Sequence, residues 1–290
     1  MSNFSFSGHE TFPCRHFWPK KGYDFLATNH RFADADAIVE LGVGKNMVTS
    51  IRFWLRALQL LDTKDAQQRI AQYLLDDKSG RDPYLERAGT LWLLHYLLVT
   101  GGRASIYSLL FNEVRKERIE FSKQQVVKFV ERKCRELDYN FNENTVAQDV
   151  NVLLRTYIRP VRKTHRVEDD FSSLLIDLQL IQDVVKTDSS TDSAYKIESI
   201  ERLEIPHEII LFAILTHTKY GNSISFRELL VGHNSVGSVF ALNADGLLRH
   251  IQRIVAQYSK IVYTDDAGIR ELQFKERPDK WQVLDSYYDR

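Results

Sequence analysis

The chain has too little cysteine for a disulfide framework. Cys14 and Cys134 are the only two in 290 residues, which suits a reducing compartment. It also lacks a long apolar run. The densest, Leu91–Val99, is about half of what a bilayer-spanning helix needs and is broken by His95, so no membrane span is expected. The opening MSNFSFSGHETF has no basic stretch leading into an apolar one, so it does not read as a signal peptide, and the cytoplasm is the expected location. Net charge is missing as well: 39 Lys and Arg balance 39 Asp and Glu, so any case for nucleic acid rests on local clustering. No GxGxxG, GxSxG or HExxH is present. Gly42-Val43-Gly44-Lys45 is no Walker loop, because Val39 and Asn46 stand where that loop needs Gly and Ser or Thr. No nucleotide site is expected.

What the chain does have is helical periodicity. Residues 33–62 split into a short helix (Ala35–Leu41), a glycine-bearing turn and a longer helix from Met47 to about Leu61, with Asn46 as its expected N-cap. Val48, Ile51, Leu55 and Leu58 recur at three and four residues and mark a buried face. The other face carries Thr49, Arg52 and Arg56, with Lys45 and Asn46 at the entry. Two helices on a short turn, the second displaying donors, is how a helix-turn-helix meets the major groove. An ordinary helical hairpin has the same pattern. A second such pair is expected further on, where a helix capped by Ser122 and one capped by Asn144 flank DYNFNE, with Thr145, Gln148, Asp149 and Asn151 near the exposed end.

Before the first pair, residues 1–32 hold eight aromatics, and Pro13 and Pro19 block long regular structure. This reads as an irregular arm pinned to the core by its rings, with a short helix near Tyr23–Ala27. It mixes in His9, Glu10, Arg15, His16, Lys20 and Lys21. His9, Cys14 and His16 match the spacing of no common zinc module. For phosphodiester cleavage, carboxylates that hold Mg²⁺ and activate water are the usual answer. The best cluster is Asp34 and Asp36, with Glu40 nearby, and His9 with Glu10 is the other option. Acids that open a helix also serve simply to complement its dipole.

Charge is segregated along the chain. Arg155–Arg166 holds five Lys or Arg and no acid, and Arg159, Arg162 and Lys163 in it are candidate phosphate contacts. Glu168–Glu204 then carries ten acids against three bases and reads as an acidic linker. Beyond it come helices, a short strand or turn, the helix LNADGLLRHIQRIVAQYS with Arg249, His250 and Arg253 outward, and a hairpin around Asp266-Ala267-Gly268, which is a winged-helix order. The expected fold is mainly α, built of several helix-turn-helix or winged-helix units with a small β-hairpin wing near the C-terminus. Its expected divisions are 1–89 (arm and helix-turn-helix), 90–167 (helical), 168–204 (linker) and 205–290 (winged-helix-like).

Three blocks, FSGHETFPCRHFWPKKGYDFL, AIVELGVGKNMVTSIRFWLRALQLL and DPYLERAGTLWLLHYLL, resemble a bacterial family long known as a domain of unknown function: the SspB-like family of DNA-phosphorothioation operons. The likeness runs from the N-terminus to roughly Tyr157. It implies a DNA-binding component of a sulfur-modification and antiphage-defence system, one that nicks a strand so that partner enzymes can modify the backbone. Its implied partners are double-stranded DNA and the other proteins of such a system. The alternative is a non-catalytic winged-helix regulator or adapter that recruits those enzymes.

Overall fold

The structure is a computed structural model, and it describes residues 4–159, 173–184 and 193–290. About 51% of it is helix, with two antiparallel sheets of three short strands each, so the expectation of a mainly α protein holds. The chain forms two compact units, Met1–Ile197 and Glu198–Arg290. Among the described residues no helix is long and apolar enough to cross a membrane.

In the first unit the arm leads into α1 (Trp18–Ala27), with Pro19 in the opening turn, where a missing N–H breaks no helical bond. Helices α2 (Ala37–Glu40) and α3 (Lys45–Ala57) form the expected hairpin across a turn in which Gly42 takes φ +59. The start of α3 differs from expectation. Extended Gly44, not Asn46, is the N-cap, and its carbonyl accepts from Met47 and Val48 at 2.9 and 3.1 Å, which draws Lys45 and Asn46 into the first turn. The helix also stops at Ala57 rather than near Leu61, because Gln59 turns left-handed (φ 56) and anchors its amide on the Leu97 carbonyl at 2.7 Å.

After α4 (Arg69–Leu75) comes α5 (Ala88–Thr100), which is buried along nearly its whole length. His95 within it has no exposure and sits 2.8 Å from the Tyr157 hydroxyl through Nδ1, a hydrogen-bonded core histidine. Asp82 accepts the N–H groups of Glu86 and Arg87 at 2.9 and 3.0 Å, and so caps the entry to α5. Helices α6 (Ser105–Leu109) and α7 (Arg115–Glu117) are joined by a π turn, and β1 (Glu120–Phe121) follows. A Ser122–Gln125 capping box opens α8 (Lys123–Glu136). Asn142, two residues before the expected Asn144, caps α9 (Glu143–Tyr157) through Thr145 N–H. Strands β2 (Gln182–Val184) and β3 (Ala194–Lys196) join β1 in the order β1-β3-β2, so the acidic stretch contributes strands, and Leu174, Leu175 and Ile181 in it are buried.

The second unit runs α10 (His207–Thr216), β4 (Ser223–Ser225), α11 (Phe226–Val231), α12 (Val236–Val239), α13 (Ala244–Gln257), the hairpin β5 (Ile261–Asp266) and β6 (Ile269–Phe274), then α14 (Lys280–Tyr288). Its sheet order is β4-β6-β5. The hairpin turns on Ala267 and Gly268, both at positive φ (48 and 82), the combination a two-residue turn between twisted strands requires. Asn243 caps α13, whose Leu247, Ile251 and Ile254 are buried.

His250 corrects the reading of α13, since it is fully buried rather than outward. It is three residues from Leu247 and four from Ile254, on the edge of the apolar stripe, and its Nε2 lies 3.1 Å from the Arg202 carbonyl. Burial, aided by the positive charges of Arg253 and His207, holds its pKa down at about 4. Unfolded histidine takes its proton near 6.5, so the unfolded chain binds more protons between these values. Stability present above about pH 6.5 is therefore lost as pH falls toward 4, by roughly 3 kcal/mol from this one group. Melting of the full chain across that range is expected to show the loss, and His250→Gln, which keeps a donor for Arg202, is expected to flatten the slope. Equal slopes in both proteins would refute the assignment.

Candidate functional site

The arm and α9 meet at one point inside the first unit. His9 is 4% exposed, and its Nε2 lies 2.9 Å from Asp149 Oδ1. Its Nδ1 accepts the Thr11 N–H at 3.1 Å, which fixes the tautomer: the proton is on Nε2 and is donated to the carboxylate. Asp149 also accepts the Ser7 N–H on both oxygens, at 3.0 and 3.1 Å. Ser50 Oγ on α3 donates to the His9 carbonyl, Trp54 Nε1 donates to the Phe12 carbonyl, both at 3.0 Å, and Arg155 reaches the Thr11 carbonyl at 3.1 Å. The His9 ring stacks on Trp54 and meets Phe53 edge-on.

These bonds hold a backbone that the chain alone would not adopt. Ser7, Gly8, Glu10 and Thr11 all have positive φ (67, 95, 48 and 65). Only glycine fits at position 8, because a Cβ there would stand 2.7 Å from the Phe53 ring. A run of left-handed residues persists only where its surroundings over-determine it, and such strain collects at functional sites. The loop presents Glu10 and Thr11 to solvent, while His9 beneath them is closed off with both ring nitrogens engaged.

The remaining expected residues fall into three groups. Lys45, Asn46 and Thr49 are exposed on the first turns of α3, where Gly44 offers no capping side chain and no acid stands in the first turn, so the positive end of the helix dipole is not neutralised there. Asn46 is one turn from Ser50, the residue that holds the His9 loop. The second group is engaged with acids or carbonyls. Arg52 and Arg56 converge on Asp65 at 2.7 and 2.6 Å. Lys20 is buried between Asp24 and Asp77 at 2.5 and 2.7 Å; burial alone would lower its pKa, but the two carboxylates outweigh that and raise it. Lys21 donates to the Leu41 carbonyl at 2.8 Å, Arg15 lies over the Trp18 ring, and Arg159 pairs with Asp177 at 2.8 Å. Arg162 and Lys163 lie outside the described residues. The third group is acidic: Asp34 folds back on the Arg31 N–H and guanidinium, while Asp36 stands exposed at the N-cap position of α2 without a capping bond.

Sequence reasoning missed Asp149, placing it on an exposed helix end. It is 3% exposed. The signal was available, since Asp149 lies three residues after Val146 and four before Leu153 on the apolar stripe, an inward place for a carboxylate. Cys14 is buried against the Arg15 carbonyl, and burial pushes its thiol pKa far up, so it is no nucleophile. Among the described residues no three His, Cys, Asp or Glu side chains gather as metal ligands. The described residues therefore form no protein-built magnesium cage.

Residues 6–288 match the family described as "Protein of unknown function (DUF4007)", and the chain belongs to that family. Two solved structures are similar over the whole fold: an SspB crystal structure and a magnesium ion-bound SspB crystal structure, each 30% identical, covering 98% of this chain and 88% of that one, with a TM-score of 0.85. The likeness therefore extends past Tyr157, where the resemblance read from the sequence stopped, through the second unit. Among curated proteins nothing matches.

Proposed function

We propose that this protein is the SspB-like component of a DNA-phosphorothioation system: it binds double-stranded DNA through the first unit, nicks one strand, and hands the site to partner enzymes. The observation that carries this reading is the strained loop Ser7–Phe12, locked by the His9–Asp149 bond and offering Glu10 to solvent beside α3. Lys45, Asn46 and Thr49 meet the DNA, with the uncapped N-terminus of α3 as a phosphate anchor. Glu10 takes the proton from the attacking water as the new P–O bond forms and the P–O bond to the leaving sugar oxygen breaks, that oxygen taking its proton from solvent water. His9 is a positioning residue, since neither ring nitrogen is open to substrate. The magnesium-bound SspB structure supports a divalent cation as cofactor, an ion usually held by one or two carboxylates together with substrate phosphates and water.

The second unit reads as a winged helix serving as an adapter. Its order of helix, strand, helices, long helix and hairpin supports that reading, while the cations on α13 are engaged within the unit. Arg249 pairs with Glu201 at 3.1 Å and Arg253 donates to the Leu203 carbonyl at 3.1 Å. The hairpin tip carries Asp265 and Asp266, both exposed, which would repel phosphates.

The test is binding of a linear duplex at several salt concentrations, followed by nicking of supercoiled plasmid with Mg²⁺. Affinity is expected to fall steeply with salt, and Lys45→Ala to reduce the log–log slope by about 0.9, the share of one phosphate contact. A flat salt dependence would remove the phosphate-anchoring reading. Intact plasmid, with and without the partner enzymes, would remove the nicking.

A further inference from the structure

We propose that a cleft of about 440 Å³ along α1 receives a single unpaired base of a DNA strand, an inference that rests on the DNA-binding reading above. Its rim is aromatic and exposed: Phe17 is 63% and Tyr84 56% open to solvent. Two such rings open at one cleft are costly in water unless something covers them. His16 ties them together, with its ring edge on Phe17 (5.2 Å between centroids) and its Nε2 2.9 Å from the Tyr84 carbonyl. On the inner side His30 stacks on Phe25 at 5.1 Å and 13°, adding a further π surface.

Charge decides which ligand fits. The lining holds Lys20 and Lys21 against Asp24 and Glu40, two of each sign, so the cleft has no net charge to attract a phosphate. Both lysines are also engaged, Lys20 by Asp24 and Asp77 and Lys21 by the Leu41 carbonyl. A flat, uncharged ligand with a polar edge matches π walls and balanced polar groups, and a nucleobase is that ligand within DNA. Position agrees, because the Glu40–Leu41 wall continues through Gly42 into the first turn of α3. A strand anchored at Lys45 and Asn46 thus lies beside the cleft mouth. A base that is already unpaired enters with least opposition.

The test compares a fully paired duplex with one carrying a single bulged 2-aminopurine, using the full chain. The bulged duplex is expected to bind about tenfold more tightly, the order of one base–aromatic stack, with the 2-aminopurine emission quenched. Phe17→Ala and Tyr84→Ala should each erase that preference while leaving affinity for the paired duplex and the melting temperature unchanged, since both rings are exposed. Equal affinity for the two duplexes, or a preference that survives both substitutions, overturns the base site while leaving DNA binding standing. If neither duplex binds, the DNA reading fails, and free adenosine then decides the cleft. Saturation-transfer NMR showing adenosine contact that Phe17→Ala abolishes supports the cleft, and no contact overturns it.

Discussion

Replacing Asp149 with alanine is expected to cost the first unit about 3 kcal/mol, the scale for a buried carboxylate hydrogen bond lost together with its stranded donors. The carboxylate accepts from His9 and, on both oxygens, from the Ser7 N–H, and its removal strands the buried His9 Nε2–H and frees the Ser7 backbone. For a unit of this size that corresponds to a fall in melting temperature of roughly 6–12 °C. Asp149→Asn keeps one oxygen acceptor and should lose about half as much. His9→Ala combined with Asp149→Ala should fall well short of the sum, because the second change removes a partner the first has already orphaned. Strict additivity, or a melt unchanged by Asp149→Ala, would show that the pair does not hold the arm.

Glu10→Ala should behave in the opposite way. Glu10 is exposed, so the melt is expected to stay at the wild-type value while the nicking rate falls at least about a hundredfold, the usual contribution of a positioned general base. Duplex affinity should hold within about twofold, since removing one acid near phosphate does not weaken phosphate contacts. His9→Ala is expected to lower the melt and the nicking together, because the loop that aims Glu10 loses its anchor. The contrast between neighbouring residues is the diagnostic. If Glu10→Ala nicks at the wild-type rate, the carboxylate role passes to Asp36 or Asp34 on the α2 side, and Asp36→Ala becomes the variant to assay.

Much of the helical frame was legible because it follows from local rules. The stripe Val48, Ile51, Leu55 and Leu58 located α3, Ser122 marked the start of α8, and the all-apolar run around His95 identified the central helix. The hairpin at Ala267-Gly268 was equally readable from strand alternation and a glycine turn. Helix ends were less so: Asn46 and Asn142 show that which polar residue caps a helix depends on where the preceding backbone becomes extended, and sequence leaves that open to a shift of two residues.

The candidate site was legible in its composition but not in its roles. The density of His9, Glu10, Arg15, Lys20 and Lys21 in an aromatic arm was readable from the sequence alone. The pairing of His9 with a residue 140 positions away, the withdrawal of Arg52 and Arg56 onto Asp65, and the burial of Lys20 between two aspartates were all decided in three dimensions. Periodicity determines which side of a helix is apolar, because burial is a property of one segment and water. Which charge neutralises which depends on segments distant in the chain being packed within about 3 Å. That is set by the tertiary core, so the sequence by itself determined the helices and the dense polar composition of the arm, and only the fold decided which of those groups are buried and paired and which stay exposed.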